Sequence, residues 1–228
     1  MIREKPSYEK IFSGEIKENP KKGKILVIAG YHYEEKNWGN VVQKAIQENI
    51  KDNGKHFLYL DIQNQEVAGG VISPTSELEI DQFVKGNGGW NNFEAIIDIH
   101  DQHEDEDGQK DMVKIWLGDK MNIVNMCKEL SGIPRGGDDD LEIKAEYHPR
   151  VNKDNWQNQA LQEYLKDNNI DSYGLSNQKI PTLGFDPMVP HRDIEEYLKS
   201  SSLSSKLMSV INSHLKIITK FTNLVLHE

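Results

Sequence analysis

KILVIAG, residues 24–30, is an unbroken apolar run that ends in glycine. It lacks the apolar and polar alternation of a strand with one wet face. The run therefore predicts a strand buried on both faces, as in a parallel sheet flanked by helices. AIIDI, residues 95–99, reads the same way, and FLYLDI, residues 57–62, supplies a further strand. After the first run, Trp38, Val41, Val42, Ala45, Ile46 and Ile50 recur at helical spacing, and Asn53-Gly54 supplies a stop. Strand and helix in this order predict an α/β fold: three layers, α/β/α, around a mostly parallel, mixed central sheet.

The rest of the chain is read by the same rules. Gln63 to Asn92 is rich in Gly, Asn and Ser and reads as a loop excursion over a site. Met112 to Leu117 predicts a strand, and Asp119 caps a helix with Ile123, Met126, Cys127 and Leu130 on one face and Gly132 beyond it. Pro134 to Asp140 is turn-rich, and Leu141 to Tyr147 allows a further strand. Trp156, Ala160, Leu161, Tyr164 and Leu165 mark another amphipathic helix, and Lys179 to Asp186 a strand with proline near its start. From Asp193 the chain reads as helical apart from a serine-rich break at Ser200 to Ser205. Leu207, Val210, Ile211, Leu215 and Ile218 give the last helix a face for core packing rather than membrane docking.

A chain of 228 residues showing no linker is expected to form one domain over residues 1–228. At that size roughly 70–75% of the unfolded surface can be buried, so the fold needs no metal or disulfide to hold together. Cys127 is the only cysteine, which excludes an internal disulfide and cysteine-based zinc or iron–sulfur sites. With 27 basic against 37 acidic residues, the net charge of −10 opposes general attraction to nucleic acid. No stretch reaches the ~20 apolar residues of a membrane span. Basic residues near the start have no apolar run behind them, so the expected location is cytoplasmic. Oligomeric state is left open.

In parallel sheets ligands gather at the carboxyl ends of the strands. That rule singles out Tyr31-His32-Tyr33-Glu34-Glu35 after the first buried strand and His100-Asp101-Gln102-His103 after AIIDI. His32 and Glu35 are three apart, a spacing that lets imidazole and carboxylate converge on one ion. His100 completes a His₂Glu set of the kind catalytic zinc sites use, with the fourth position left for water. Asp98 is a candidate to orient an imidazole from behind. His103 competes as a ligand through its HxxH spacing with His100, but it stands in an acid-rich stretch, HDQHEDEDG, of solvated character. The oxygens of Asp98, Asp101 and their neighbours offer magnesium as a different reading of the same stretch. Gly69-Gly70, Gly88-Gly89 and Gly136-Gly137 lack the spacing of a phosphate loop, and no GxSxG elbow of a serine hydrolase is present.

GYHYEE after a buried strand, the helix that follows, and IIDIH some 65 residues beyond Glu35 together resemble the zinc carboxypeptidase superfamily. The likeness is to its succinylglutamate desuccinylase and aspartoacylase branch in particular, and it runs from about Ile25 to Pro187. It implies that His32, Glu35 and His100 bind one zinc ion. It implies hydrolysis of an amide bond in a small acylated amino acid or short peptide, by deacylation or by carboxypeptidase-like trimming. It further implies a catalytic glutamate on a late strand, but KIPTLGFD carries none, and Asp186 is the nearest carboxylate, with Glu146 the other candidate. An arginine that clamps the substrate carboxylate is expected after an Asn-Pro type segment. This chain has Asp61-Ile62-Gln63-Asn64 there, so Asn64 is carried over as substrate-binding, yet no arginine stands between Arg3 and Arg135. Arg135 and Arg150 are the candidate replacements, with Arg192, His148 and His191 in nearby loops as further donors. The two departures leave a second reading open, a metal-binding or ligand-binding protein that keeps the scaffold with weakened or lost turnover.

Overall fold

The computed structural model describes residues 11–17, 23–31, 36–52, 56–62, 74–99, 112–116, 142–144, 163–170, 180–186, 199 and 205–227. In chain order the elements are β1 (Gly14–Glu15), β2 (Lys24–Ala29), α1 (Lys36–Asn49), β3 (Ile50–Lys51), β4 (Phe57–Asp61), α2 (Pro74–Gly86), a 3₁₀ turn (Trp90–Asn92), β5 (Phe93–Ile99), β6 (Met112–Trp116), β7 (Glu142–Lys144), β8 (Thr182–Asp186) and α3 (Ser205–His227). Residues 163–167 are also helical. No described helix is long and apolar enough to cross a membrane.

A six-stranded sheet in the order β4-β2-β5-β8-β6-β7 forms the middle layer. Its first four strands are parallel, β6 runs antiparallel to β8, and β7 runs parallel to β6. The sheet is thus mixed but mostly parallel, as the buried apolar runs predict. Ile25, Leu26, Val27, Ile28 and Ala29 all have no exposed surface, and they divide between the two faces by the period of two. Ile25 and Val27 pack with Ala95, Ile97, Ile99 and Leu183 against α1 and α3. Leu26 and Ile28 pack with Ile96 against Ile80 and Val84 of α2. At roughly 1.5–3 kcal/mol for each large aliphatic side chain, burial on both faces makes β2 the most heavily stabilised kind of strand a sheet can hold.

The connections explain which helix covers which face. From β2 the chain steps outward to β4 through α1, then returns over β2 to β5 through α2. Right-handed crossovers in opposite directions put their helices on opposite faces. α3 joins α1 on the first face, and Leu215, Ile218 and Phe221 are fully buried there.

Two local readings of the sequence are corrected. The stretch Gln63 to Asn92, read as a loop excursion, contains the helix α2. Its overall polarity hides a narrow apolar stripe, Ile80, Phe83 and Val84, that suffices to cover one face. Pro74 opens the helix, where its missing N–H costs nothing. Gly88 and Gly89, at φ 94° and 81°, close it, with Gly89 N donating to Val84 O at 2.9 Å. Ile50, read as part of the helix face, belongs to β3, which pairs with β1 in a separate two-stranded parallel sheet. Ile50 is buried, as a helical residue at that spacing would also be, so periodicity could not separate the two. The predicted helix from Asp119 to Gly132 and the loop Pro134 to Asp140 lie outside the described residues.

Candidate functional site

The reversal of direction between α1 and α2 makes the line between β2 and β5 the point at which the winding of the sheet switches, where open α/β sheets hold their ligands. Ala29 and Ile99, the last residues of these strands, are register partners. Ala29 also pairs with Asp61, the end of β4, and Ile99 with Phe185 of β8. The carboxyl ends of four strands therefore form one edge. β6 and β7 run the other way, so Met112, paired with Asp186, and Glu142, paired with Met112, enter the sheet at that same edge. Lys144, at the far end of β7, heads away from it.

The β2 exit is built from close contacts. Gly30 turns the chain at φ 72°, a conformation that glycine adopts without a Cβ penalty. Tyr31 follows, 5% exposed, with its ring against the α2 face of the sheet. Its hydroxyl donates to Glu77 Oε1 at 2.7 Å, and its carbonyl accepts from Ser76 Oγ at 3.4 Å. Ser76 and Glu77 belong to the first turn of α2 and are buried. On the other face α1 lies close over the same exit: a Cβ on Gly39 would stand 2.6 Å from Ala29 Cβ. Gln43, also buried on α1, donates to Leu60 O at 3.0 Å, tying the helix to the neighbouring β4. At the end of β4, Ile62 N donates to Ala29 O at 3.0 Å. Asp98 is fully buried next to Ile28 in the register, on the strand face that alternates with Ile97 and Ile99.

His32, Glu35, His100, Asn64, Glu146, Arg135 and Arg150 lie outside the described residues, as do His103, His148, His191 and Arg192. What the backbone gives is the order in which the chain reaches them. His32 stands three residues past Ala29, His100 one past Ile99, and Asn64 three past Asp61, so each follows a strand that ends at the common edge. Asp186 is itself the last residue of β8 at that edge. Arg135 precedes by seven residues a strand that enters there, whereas Glu146 and Arg150 follow the end of β7 that points away. Among the described residues no group of three or more His, Cys, Asp or Glu side chains stands together as a metal site. The sequence singles out the stretch that begins at Tyr31, but not Ser76 or Glu77 as its partners. The proline-led start at Pro74 was the available signal, but it names a helix start and not its distant partner.

Neither a protein-family profile nor a curated protein sequence matches the chain. Solved structures of similar chain course include the N-acetylmuramoyl-L-alanine amidase AmiC2 of Nostoc punctiforme, at TM-score 0.40 and 11% identity over 90% of this chain and 98% of that one. The CwlD amidase of Clostridioides difficile, solved with the GerS lipoprotein, gives TM-score 0.43 and 7% identity over 89% and 98%. Murine aminoacylase 3 gives TM-score 0.37 and 10% identity over 87% of this chain and 66% of that one. None of these likenesses assigns a residue or an activity to this chain.

Proposed function

We propose that this protein is a zinc-dependent hydrolase of amide bonds, acting on a small acylated amino acid or a short peptide, with His32, Glu35 and His100 as the metal ligands. One observation carries the reading: the two strands that lead into these residues are register neighbours whose ends, Ala29 and Ile99, flank the point at which the sheet switches its winding. Two imidazoles and a carboxylate are a donor set that suits zinc and leaves a position open. A bound zinc ion supplies a Lewis acid that polarises the scissile carbonyl and acidifies water.

The chain's own residues then divide the remaining work. Asp186 takes the proton of the attacking water and passes it to the leaving amine. The common edge favours Asp186 over Glu146 for this role, because β8 ends at that edge and β7 ends away from it. For the same reason we take Arg135 rather than Arg150 as the clamp on a substrate carboxylate, and Asn64 as a further substrate-binding residue. We further place the whole chain, residues 1–228, in one domain of the zinc carboxypeptidase kind, close to its succinylglutamate desuccinylase and aspartoacylase branch, and in the cytoplasm.

A second reading keeps the zinc site and drops turnover. It is favoured by the strand TLGFD, which brings an aspartate and no glutamate to the edge, and by the lack of arginine between Arg3 and Arg135. Metal content of protein purified without an affinity tag, before and after zinc reconstitution, tests both at once. Near-stoichiometric zinc that is lost in His32→Ala supports them, and its absence after reconstitution rejects both. A panel of acylated amino acids and short peptides then separates them: turnover that vanishes in His32→Ala selects the hydrolase, and thermal stabilisation by such ligands without turnover selects the binding protein.

A further inference from the structure

We propose that the groove between β3 and α3 is a binding site for an extended peptide of the pattern Phe-x-Gly-x-Ile, and that residues 11–17 of this chain occupy it as a separable ligand. Neither the zinc assignment nor the carboxyl edge of the sheet enters into it.

Burial along the segment alternates as it does in a peptide held in a groove. Gly14 and Ile16 are buried and Phe12 is half-buried, whereas Ser13, Glu15 and Lys17 are exposed. Two elements hold its main chain. Gly14 and Glu15 pair with Ile50 and Lys51 of β3, and Ile16 N donates to Lys51 O at 3.1 Å. From α3, Asn212 Oδ1 accepts from Phe12 N at 2.7 Å, and the amide of Asn223 accepts from Lys17 N at 2.8 Å and donates to Glu15 O at 3.1 Å. Such main-chain contacts give affinity to any sequence, so selection falls to the three inward positions. Phe12 packs on the core with Lys216 Nζ 6.0 Å from its ring centre, and Ile16 is buried within the core itself. At Gly14 a Cβ would collide with Thr219 Oγ1. That hydroxyl donates to Leu215 O at 2.7 Å, and a β-branched side chain is stiff, so Thr219 does not step aside. Asn212, Lys216, Thr219 and Asn223 recur at steps of four, three and four, which sets them along one side of α3.

The segment is also only lightly built into the body. β1 pairs with β3 alone, outside the six-stranded sheet. Of residues 11–17 only Ile16 belongs to the buried cluster in which α1, α3 and the sheet pack on one another. Withdrawing the segment therefore leaves the two walls of the groove held by contacts of their own.

The test uses the full chain as receptor and a fluorescein-labelled peptide of residues 9–18, EKIFSGEIKE. Gly14→Ala in the chain dislodges the segment; Phe12→Ala combined with Ile16→Ala withdraws its two apolar anchors instead and serves where the first variant fails to fold. Fluorescence polarisation should show saturable binding of the peptide to either variant, and binding about tenfold weaker to the wild type, whose own segment competes. Affinity should fall by about tenfold or more for a peptide carrying Gly14→Ala, and likewise for a receptor with Asn223→Ala added. Thr219→Ala in the receptor should restore part of the loss for the Gly14→Ala peptide. In the wild type, the amides of Phe12, Ile16 and Lys17 should exchange hydrogen at least about tenfold faster than those of β2 and β5, by local opening. Absence of binding to a folded variant at about 1 mM peptide overturns the site, since short tethers supply their ligands at such concentrations. Equal affinity for the two peptides overturns selection at Gly14. Exchange in the segment as slow as in β2 and β5, or failure of both variants to fold, overturns its separability.

Discussion

Lowering the pH should destabilise this protein through one buried histidine of α3. His214 lies on α3 with no exposed surface, its ring edge-on to Trp38 of α1 at 5.6 Å between centroids. Burial in that apolar layer lowers its pKa to about 3. In the unfolded chain the same group titrates near 6.5. Above that value both states hold a neutral imidazole, and His214 gives no pH dependence. Below it the unfolded chain takes up a proton that the folded chain refuses, so stability falls at about 1.4 kcal/mol per pH unit until the folded pKa is reached. Between pH 6.5 and 4.5 the loss comes to roughly 2–3 kcal/mol, a large share of the 5–15 kcal/mol that holds a typical domain folded. The perturbation is His214→Gln, which keeps a polar side chain of similar size that cannot titrate. Urea unfolding followed by circular dichroism at pH 7.5, 6.5, 5.5 and 4.5 should show wild-type stability dropping more steeply than the variant's, by on the order of 1 kcal/mol per unit below 6.5. Parallel decline of the two proteins would refute the reasoning. So would a folded-state midpoint near 6 for His214 by nuclear magnetic resonance.

Three further outcomes are expected. Gly39→Ala puts a Cβ 2.6 Å from Ala29 Cβ and 3.2 Å from both Ala29 Cα and Gly30 N. Two of these are backbone atoms, so the variant should lose about 1–3 kcal/mol despite the better helix propensity of alanine; a higher melting temperature would contradict the packing of α1 on the β2 exit. Asp52→Ala removes an acceptor for His56 N at 2.8 Å and Phe57 N at 3.0 Å, together with the contact to His56 Nδ1 at 2.6 Å that leads the chain into β4. A loss of roughly 1–3 kcal/mol in chemical unfolding is expected, with Asp52→Asn losing less because it keeps one acceptor. Asp186→Asn should retain zinc and lose activity by on the order of 10²-fold or more, the scale of a positioned acid–base group. Full activity in that variant would transfer the base to another residue.

How far these residues could be read from sequence depends on the range of the interaction. KILVIAG and AIIDI announce strands buried on both faces because every one of their side chains must find an apolar neighbour, and the two packing clusters divide them as required. β1 and β3, two residues each, are too short to carry a pattern, and their pairing depends on tertiary contact. Asn223 of α3 helps to set that small sheet in place, accepting from Lys17 N at 2.8 Å and donating to Glu15 O at 3.1 Å, across more than two hundred residues of chain. α2 escaped notice because a stripe of three apolar residues inside a polar stretch falls below what composition can reveal. That β2 and β5 end at Ala29 and Ile99 was legible because strand ends are a local property. The contacts of Tyr31 with Ser76 and Glu77 were not, since these partners stand some 45 residues away and meet it only once β4 and β5 flank β2.

Strand direction carries the argument about the site further than strand position does. The parallel strands β4, β2, β5 and β8 all end at one edge, and in sequence both the histidines and the acid-rich stretch 101–107 follow such ends. The edge therefore does not separate zinc from magnesium; donor type does, because imidazole suits zinc and an all-oxygen set suits magnesium. The single antiparallel step at β6 adds a different discrimination. It sets the sense of β7, which enters the sheet at that edge with Glu142 and ends away from it with Lys144. This is the ground on which the proposed function prefers Asp186 to Glu146 as the base and Arg135 to Arg150 as the clamp. Arg135→Ala should accordingly raise KM for a substrate bearing a free carboxylate, and Arg150→Ala should leave it unchanged; the opposite result would mean that the chain beyond β7 turns back to the edge it leaves.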